Sequence, residues 1–293
     1  MAEIVRDGDV YACRGDGFAL ELRADAQRHG ITSYRLVGGE ELIQAKLYAL
    51  NAYRLLATGR LLAIARQEPF AARLEGGRLH LEWEPTKKHP AIMRWTYGVD
   101  DQGAVDVEIT VEAVRAVPGY ELFTSSYFDP RLQAYLVLPK RAGRTAAEDL
   151  QLYKLDGTPF IYGNYVMAPR DYAALAMRAD GRWDGDGGIP IAPWSVGQHY
   201  GRPVAVMADA DVHVVHLADT LACASVNASY DDPDPTDGIA HHHALYFGLF
   251  SENLPAGAVR RARLRQVVRR GSPQLGEIVG LYERFAAEVA GEV

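Results

Sequence analysis

Residues 105–114 (VDVEITVEAV) alternate apolar and polar side chains, with acidic residues and Thr110 at the even positions. This period of two is that of a half-buried antiparallel strand. Two turn sequences, EGG at residues 75–77 and DDQG at residues 100–103, separate strand-like runs and predict two successive hairpins. Successive hairpins favour an antiparallel meander over βαβ units.

Four further segments complete the predicted secondary structure. Residues 273–290 space their apolar side chains about one helical turn apart, which predicts a C-terminal helix. Residues 145–153 begin with the capping-box pattern TAAE, which predicts a helix start. Residues 40–57 are rich in Leu and Ala and fit either a helix or a strand with a turn. Residues 156–203 are rich in Gly, Pro, Asp and aromatic residues, lack periodicity and are predicted to form long loops.

The bulk properties argue against several protein classes. The net charge of −7 argues against nucleic-acid binding, which needs a positive field. No apolar run reaches the roughly 18 residues of a membrane span, and the N-terminus lacks a signal-peptide pattern, so we expect a cytoplasmic protein with no membrane partner. Cys13 and Cys223 define neither a disulfide framework nor a zinc site. We therefore expect one β-sandwich domain over residues 1–293.

Residues 230–250 hold the main concentration of chemically active side chains. Four aspartates fall within residues 231–237, and three histidines follow at residues 241–243. If a strand begins near residue 240, His241 and His243 project to the same face. The pair fits proton transfer, or a metal site completed by the aspartates, but Glu252 lies too far along to serve as a further ligand. A solvated turn with one buried histidine is the alternative, and we expect no cofactor.

Trp194, His199 and Arg202 form a second polar and aromatic group. An aromatic ring beside Arg, His and Asp suits a sugar, because the ring stacks on C–H faces and the polar groups bind hydroxyls. The alternative is a loop anchored by a buried tryptophan. The predicted site residues are the catalytic candidates His241, His243 and His199 and the substrate-binding candidates Arg202, Trp194, Trp95 and Asp232.

Two segments resemble a known fold. Residues 30–43 (GITSYRLVGGEELI) resemble the opening of the galactose-mutarotase-like β-supersandwich, where a strand leads through a glycine-containing turn into a short GEL element. The pattern YFGLF…LPAG…RARLR at residues 246–265 resembles its closing strands. The resemblance implies an antiparallel β-sandwich and a sugar or glycan ligand, as in aldose epimerases, polysaccharide-lyase domains and glycosidase-associated domains.

The resemblance also implies a division of roles. In the epimerases a histidine acts as acid and a glutamate as base, and the resemblance makes His89 and the triple histidine candidate counterparts of the family histidines. No glutamate matches the base, because Glu252 stands in a different context. The leading hypothesis is a carbohydrate-binding or carbohydrate-acting protein, an isomerase or lyase that uses histidine as general acid or base. The alternatives are a metal-dependent enzyme with His and Asp ligands and a non-catalytic structural domain.

Overall fold

The structure, a computed structural model, describes residues 2–8, 10–25, 28–44, 47–155, 165–177, 179–183, 194–195, 197–229 and 243–291. These residues form a mainly β fold, as predicted, and two α-helices, α1 (Tyr172–Met177) and α2 (Leu275–Gly291). The strands in chain order are β1 (Val5–Asp7), β2 (Val10–Arg14), β3 (Phe18–Ala24), β4 (His29–Leu36), β5 (Asn51–Ala57), β6 (Arg60–Ile64), β7 (Ala71–Glu75), β8 (Arg78–Trp83), β9 (Ala91–Val99), β10 (Val105–Ala113), β11 (Val117–Tyr127), β12 (Gln133–Pro139), β13 (Leu150–Lys154), β14 (Tyr165–Pro169), β15 (Trp194–Ser195), β16 (Val204–Ala208), β17 (Val212–Ala218), β18 (Cys223–Ser229), β19 (Ala244–Leu254) and β20 (Val259–Arg270).

The strands pair into three sheets. A four-stranded sheet has the order β1-β2-β3-β4, and a nine-stranded sheet has the order β13-β12-β16-β17-β20-β10-β9-β8-β7. A seven-stranded sheet has the order β15-β14-β18-β19-β11-β5-β6. The described pairings are antiparallel except for the short parallel contact between β14 and β15. The predicted antiparallel sandwich is confirmed.

Both predicted hairpins are present, as β7–β8 and β9–β10. In the first turn Gly76 and Gly77 have φ angles of 57° and 70°, the left-handed conformation that a tight hairpin turn requires. The alternation of β10 is confirmed, because its alternating apolar side chains are at most 1% exposed, namely Val105, Val107, Ile109 and Val111. Its acidic residues lie on the opposite face, where Glu108 pairs with Arg78 at 2.5 Å.

One continuous apolar core joins the three sheets. We call the sheet faces that contribute to it inner faces and the opposite faces outer faces. Trp95 of β9 is fully buried here, with its ring edge-on to Trp83 at 6.4 Å and to His29 at 5.6 Å. Trp95, a substrate-binding candidate from the sequence, therefore has no surface that a ligand could contact.

The outer face of the nine-stranded sheet is covered in two ways. Helix α2, confirmed close to its predicted bounds, packs Ile278 and Phe285 onto Val206 and Val215 of β16 and β17. The remaining part carries cross-strand ion pairs, such as Arg94 with Glu82 at 2.6 Å. Charged pairs of this kind are ordinary for a solvent-facing surface.

Three sequence expectations need comment. The predicted helix start at residues 145–153 is wrong: a 3-10 turn at Ala147–Asp149 leads into β13, which pairs along the free edge of β12. Within residues 40–57 the strand alternative is correct, because β5 pairs with both β11 and β6. Residues 156–203 contain β14, α1 and β15, and β14 pairs with β18 in register.

Candidate functional site

The outer face of the seven-stranded sheet carries a cluster of aromatic and arginine side chains. Arg54 of β5 lies directly opposite Phe123 of β11, which in turn faces Gly248 of β19. Cross-strand partners share a face, so the register brings these positions together. We call the group the aromatic–arginine cluster; its members are Tyr53, Arg54, Arg66, Phe123, Tyr127, Trp183 and Tyr246.

The rings of this cluster contact one another in sequence. Phe123 stacks on Tyr246 with ring centres 5.3 Å apart and meets Trp183 edge-on at 5.0 Å. Tyr246 also meets Tyr127 edge-on at 5.9 Å. Such edge-to-face and stacked pairs fix ring orientation as well as burying apolar area. The cluster is therefore a rigid aromatic platform.

Two guanidinium groups lie over the same tyrosine ring. The guanidinium carbon of Arg54 is 4.7 Å from the centre of the Tyr53 ring, and that of Arg66 is 4.2 Å away. Arg54 also approaches the Trp183 ring at 5.5 Å. Arg54 is buried, whereas Tyr53 and Arg66 are partly exposed. A ligand arriving from solvent would meet Tyr53 and Arg66 first.

A buried charge group borders the cluster. Arg182, with no exposed surface, donates to Glu121 over 2.5 Å and forms two parallel bonds to Asp180, the closer at 2.8 Å. This geometry fixes the chain next to Trp183, which follows Arg182 directly. Burial raises the pKa of Glu121, and the Arg182 guanidinium offsets part of that rise. Partial burial alone would raise the pKa of Asp180, but its bonds to Arg182 hold it below the usual range.

A small cavity lies between Glu121 and Trp183. Its volume is about 10 Å³, roughly the space of one water molecule, and Ser225 and Ser251 contribute hydroxyls to its lining. Gly248 keeps this region open, because a Cβ there would come within 2.5 Å of Glu121 Oε1 and of Ser225 Oγ. The cavity is polar and next to a carboxyl whose proton affinity is raised.

The backbone beside Glu121 is strained. Phe250 and Ser251 have φ angles of 74° and 47°, in the left-handed region that side chains other than glycine rarely adopt. Ser251 hydrogen-bonds to Glu121, and the register between β11 and β19 shifts at this point. Strained non-glycine residues concentrate at functional sites, where the surrounding structure enforces them.

Two solved structures resemble this chain over nearly its whole length. One is a galactose 1-epimerase from Lactobacillus acidophilus, with a TM-score of 0.52 and 10% identity over 92% of this chain and 98% of that one. The other is a protein assigned as an aldose 1-epimerase from Escherichia coli, with a TM-score of 0.52 and 11% identity over 89% and 99%. The chain has the galactose-mutarotase-like fold. No protein-family model and no curated protein matches its sequence.

Within this galactose-mutarotase-like fold, His241 and Asp232 lie outside the described residues, as do the other aspartates of residues 231–237. His243 is buried at the start of β19, and its Nδ1 lies 2.6 Å from the carbonyl oxygen of Leu132. That contact joins the start of β19 to the chain just before β12.

The other predicted site residues have different surroundings. His199 meets the Tyr172 ring of α1 edge-on at 4.8 Å. Arg202 donates to the Thr145 carbonyl at 2.9 Å, and its guanidinium lies 5.9 Å from the Tyr282 ring of α2. Trp194 belongs to β15 beside Val166, and Trp95 lies in the core. The side chains of His199, Arg202, Trp95 and His243, which the structure describes, do not form one group.

Metal ligation finds no support in the described part of the chain. No group of three or more His, Cys, Asp or Glu side chains is arranged there to hold an ion. Cys13 and Cys223 are both buried free thiols. No described helix is long and apolar enough to cross a bilayer. The aspartates of residues 231–237 and His241 fall outside this test.

Sequence reasoning missed the aromatic–arginine cluster, although a signal for it existed. Arg54 is the one charged residue of β5, and Glu121 is the one charged residue of β11. A charged side chain is expensive to bury unless it is paired, so a lone charge in a strand-like run points to a buried partner or to a site. The partners of those two charges, however, come from distant parts of the chain.

Proposed function

We propose that this protein binds an aldose sugar at the aromatic–arginine cluster. The observation that carries the proposal is the juxtaposition of stacked rings and guanidinium groups on one sheet face, reaching solvent at Tyr53 and Arg66. Aromatic faces pack against the C–H faces of sugar rings, and guanidinium groups donate paired hydrogen bonds to oxygens. The epimerases with a similar fold, named for galactose and aldose substrates, support the same ligand class.

Calorimetry and thermal unfolding with a panel of aldoses test the proposal. A ligand that binds only the folded protein at one hundred times its dissociation constant stabilises it by about 2.7 kcal/mol. We expect at least one aldose to bind, and Tyr53→Ala to weaken that binding. Tyr153→Ala is the matched control, because Tyr153 is an exposed tyrosine in β13 of the other large sheet. If no aldose at millimolar concentration binds or raises the melting temperature, the proposal fails.

A specific observation favours catalysis as a second candidate function. Glu121 combines a raised pKa with a cavity that has room for about one water molecule. Interconversion of sugar anomers needs groups that remove a proton from the anomeric hydroxyl and deliver one to the ring oxygen, and a carboxyl of raised pKa suits such transfers. Glu121 would be one of the two groups.

Proton NMR of freshly dissolved α-anomer measures this activity directly. We expect the protein to accelerate the approach to anomeric equilibrium, and Glu121→Gln to abolish the acceleration while retaining sugar binding. The melting temperature of the variant checks that its fold is intact. If the wild-type protein binds the sugar but equilibration proceeds at the spontaneous rate, the protein is a binder and Glu121 has no catalytic role.

A further inference from the structure

Arg66 differs from the other arginines on the sheet faces. It lies in the 3-10 turn Ala65–Gln67 after β6, with its guanidinium on the Tyr53 ring and a hydrogen bond to the phenol of Tyr127. Arg54 approaches the same Tyr53 ring. Two cationic groups therefore converge on one aromatic side chain.

Carboxylates neutralise comparable arginines elsewhere in the protein. Arg94 pairs with Glu82 at 2.6 Å, and Arg265 pairs with Asp106 at 2.9 Å. Among the described residues Arg66 has no carboxylate partner, and its Nη1 atom is buried without a hydrogen-bond partner. A buried donor left unsatisfied costs free energy, more so when it is charged.

Among the described residues, the acidic side chains that border the cluster already form ion pairs. Glu121 and Asp180 are both held by Arg182, at 2.5 and 2.8 Å. Neither of these two carboxylates is an ion-pair partner of Arg66. An anion placed against the partly exposed side chain of Arg66 would supply the missing counter-charge.

We propose that the ligand of the aromatic–arginine cluster is an acidic sugar, whose anionic group is bound by Arg66 with Arg54 beside it. This inference rests on the proposed sugar-binding function and narrows its ligand class. Carboxylate and phosphate share the required chemistry, because each presents two oxygens that match the donor fork of a guanidinium. A neutral aldose offers hydroxyl acceptors but leaves the positive charge of Arg66 without a counter-ion.

Titration calorimetry with a matched ligand set tests the inference on the full chain. The probes are galactose, galacturonate, galactose 6-phosphate and inorganic phosphate. We expect at least one acidic sugar to bind about 10- to 100-fold more tightly than galactose, the range that charged hydrogen bonds supply. The preference should shrink as sodium chloride is raised, because salt screens charge interactions. Whichever acid binds more tightly identifies the anionic group.

Substitutions test whether Arg66 is responsible for the preference for acidic sugars over galactose. Arg66→Gln should remove the advantage of the acidic sugar, and Arg66→Lys should retain part of it, because lysine keeps the charge but loses the fork. Arg60→Gln is the matched control: Arg60 is an exposed arginine in the adjacent strand β6 and should leave the preference unchanged. Unfolding curves identify any variant that does not fold. The comparison of sugars on the wild-type protein does not depend on the variants.

The outcomes separate this inference from the proposed function. If galactose and both acidic sugars bind equally to wild type and to Arg66→Gln, the anion inference is overturned while sugar binding stands. If inorganic phosphate binds through Arg66 and no sugar binds, the anion site stands and the sugar proposal fails. If none of the four probes binds, both are overturned.

Discussion

Arg182 allows a direct test of how buried charges affect the stability of this fold, because its buried guanidinium is hydrogen-bonded to the carboxylates of Glu121 and Asp180. The substitution Arg182→Met keeps most of the side-chain volume and removes the charge. Removing one partner of a buried ion pair leaves an uncompensated charge and costs about 3–5 kcal/mol. Arg182 has no exposed surface and Glu121 is only 6% exposed, so we expect a loss of about 3–5 kcal/mol in the free energy of unfolding near neutral pH. That loss corresponds to a fall of roughly 6–20 °C in melting temperature.

The penalty should depend on pH in a definite direction. Burial raises the pKa of Glu121 in the folded protein, so the folded protein binds the proton of Glu121 more tightly than the unfolded chain does. Such a carboxyl costs stability as the pH rises above its unfolded value of about 4.3. Without Arg182 this cost grows with pH, whereas the benefit from the lowered pKa of Asp180 is present above about pH 4 and is therefore lost about equally at pH 5 and pH 8. The difference between variant and wild type should therefore be smaller at pH 5 than at pH 8.

Urea unfolding followed by circular dichroism at pH 5 and pH 8 measures both effects. Arg94→Met is the matched control: Arg94 pairs with Glu82 and Glu112 on the solvent side of β9, where an exposed pair contributes about 0–1 kcal/mol. A penalty for Arg182→Met below about 1 kcal/mol at pH 8, or one equal at the two pH values, would refute the reasoning.

Three further predictions concern stability. Gly248→Ala should cost about 1–3 kcal/mol in urea unfolding, because its Cβ would collide with the Glu121 carboxylate, whereas Gly276→Ala, with open space in α2, should not destabilise. Phe285→Ala should cost about 3–5 kcal/mol by the same assay, since this fully buried ring joins α2 to the nine-stranded sheet. Burial lowers the pKa of His89 to about 4, so the free energy of unfolding should fall as the pH drops from about 6.5 to 4. The variant His89→Gln should flatten that fall. An unchanged dependence of the unfolding free energy on pH would contradict this reasoning.

Secondary structure is predictable from the sequence at positions where the local residue pattern and the tertiary environment favour the same conformation. β10 alternates because one face meets the core and the other meets solvent, and the EGG turn favours a hairpin by its own conformational preferences. Residues 145–153 show the opposite case. Their capping-box pattern is a weak local preference, and pairing of β13 with the free edge of β12 overrides it.

The candidate site depends on register between distant segments, which local pattern does not encode. Arg54 meets Phe123 through the pairing of β5 with β11, and Trp183 arrives from the segment after α1. Trp95, chosen from sequence for its aromatic character, belongs instead to an alternating strand whose large side chains form the core. A lone charge within a strand-like run, such as Arg54 or Glu121, would have been a better guide than aromatic content.

The outer faces of the two large sheets differ, and the difference supports the proposed site. The nine-stranded sheet closes its outer face with α2 or with exposed ion pairs, arrangements that stability and solubility alone explain. The seven-stranded sheet instead buries Arg54 and the Glu121–Arg182 pair and strains the backbone at Phe250. Replacing buried ion pairs with apolar residues is often neutral or stabilising, so stability alone does not explain retaining them. Substitutions among the nine-stranded sheet's ion pairs should thus alter stability only, whereas those in the aromatic–arginine cluster should alter ligand affinity.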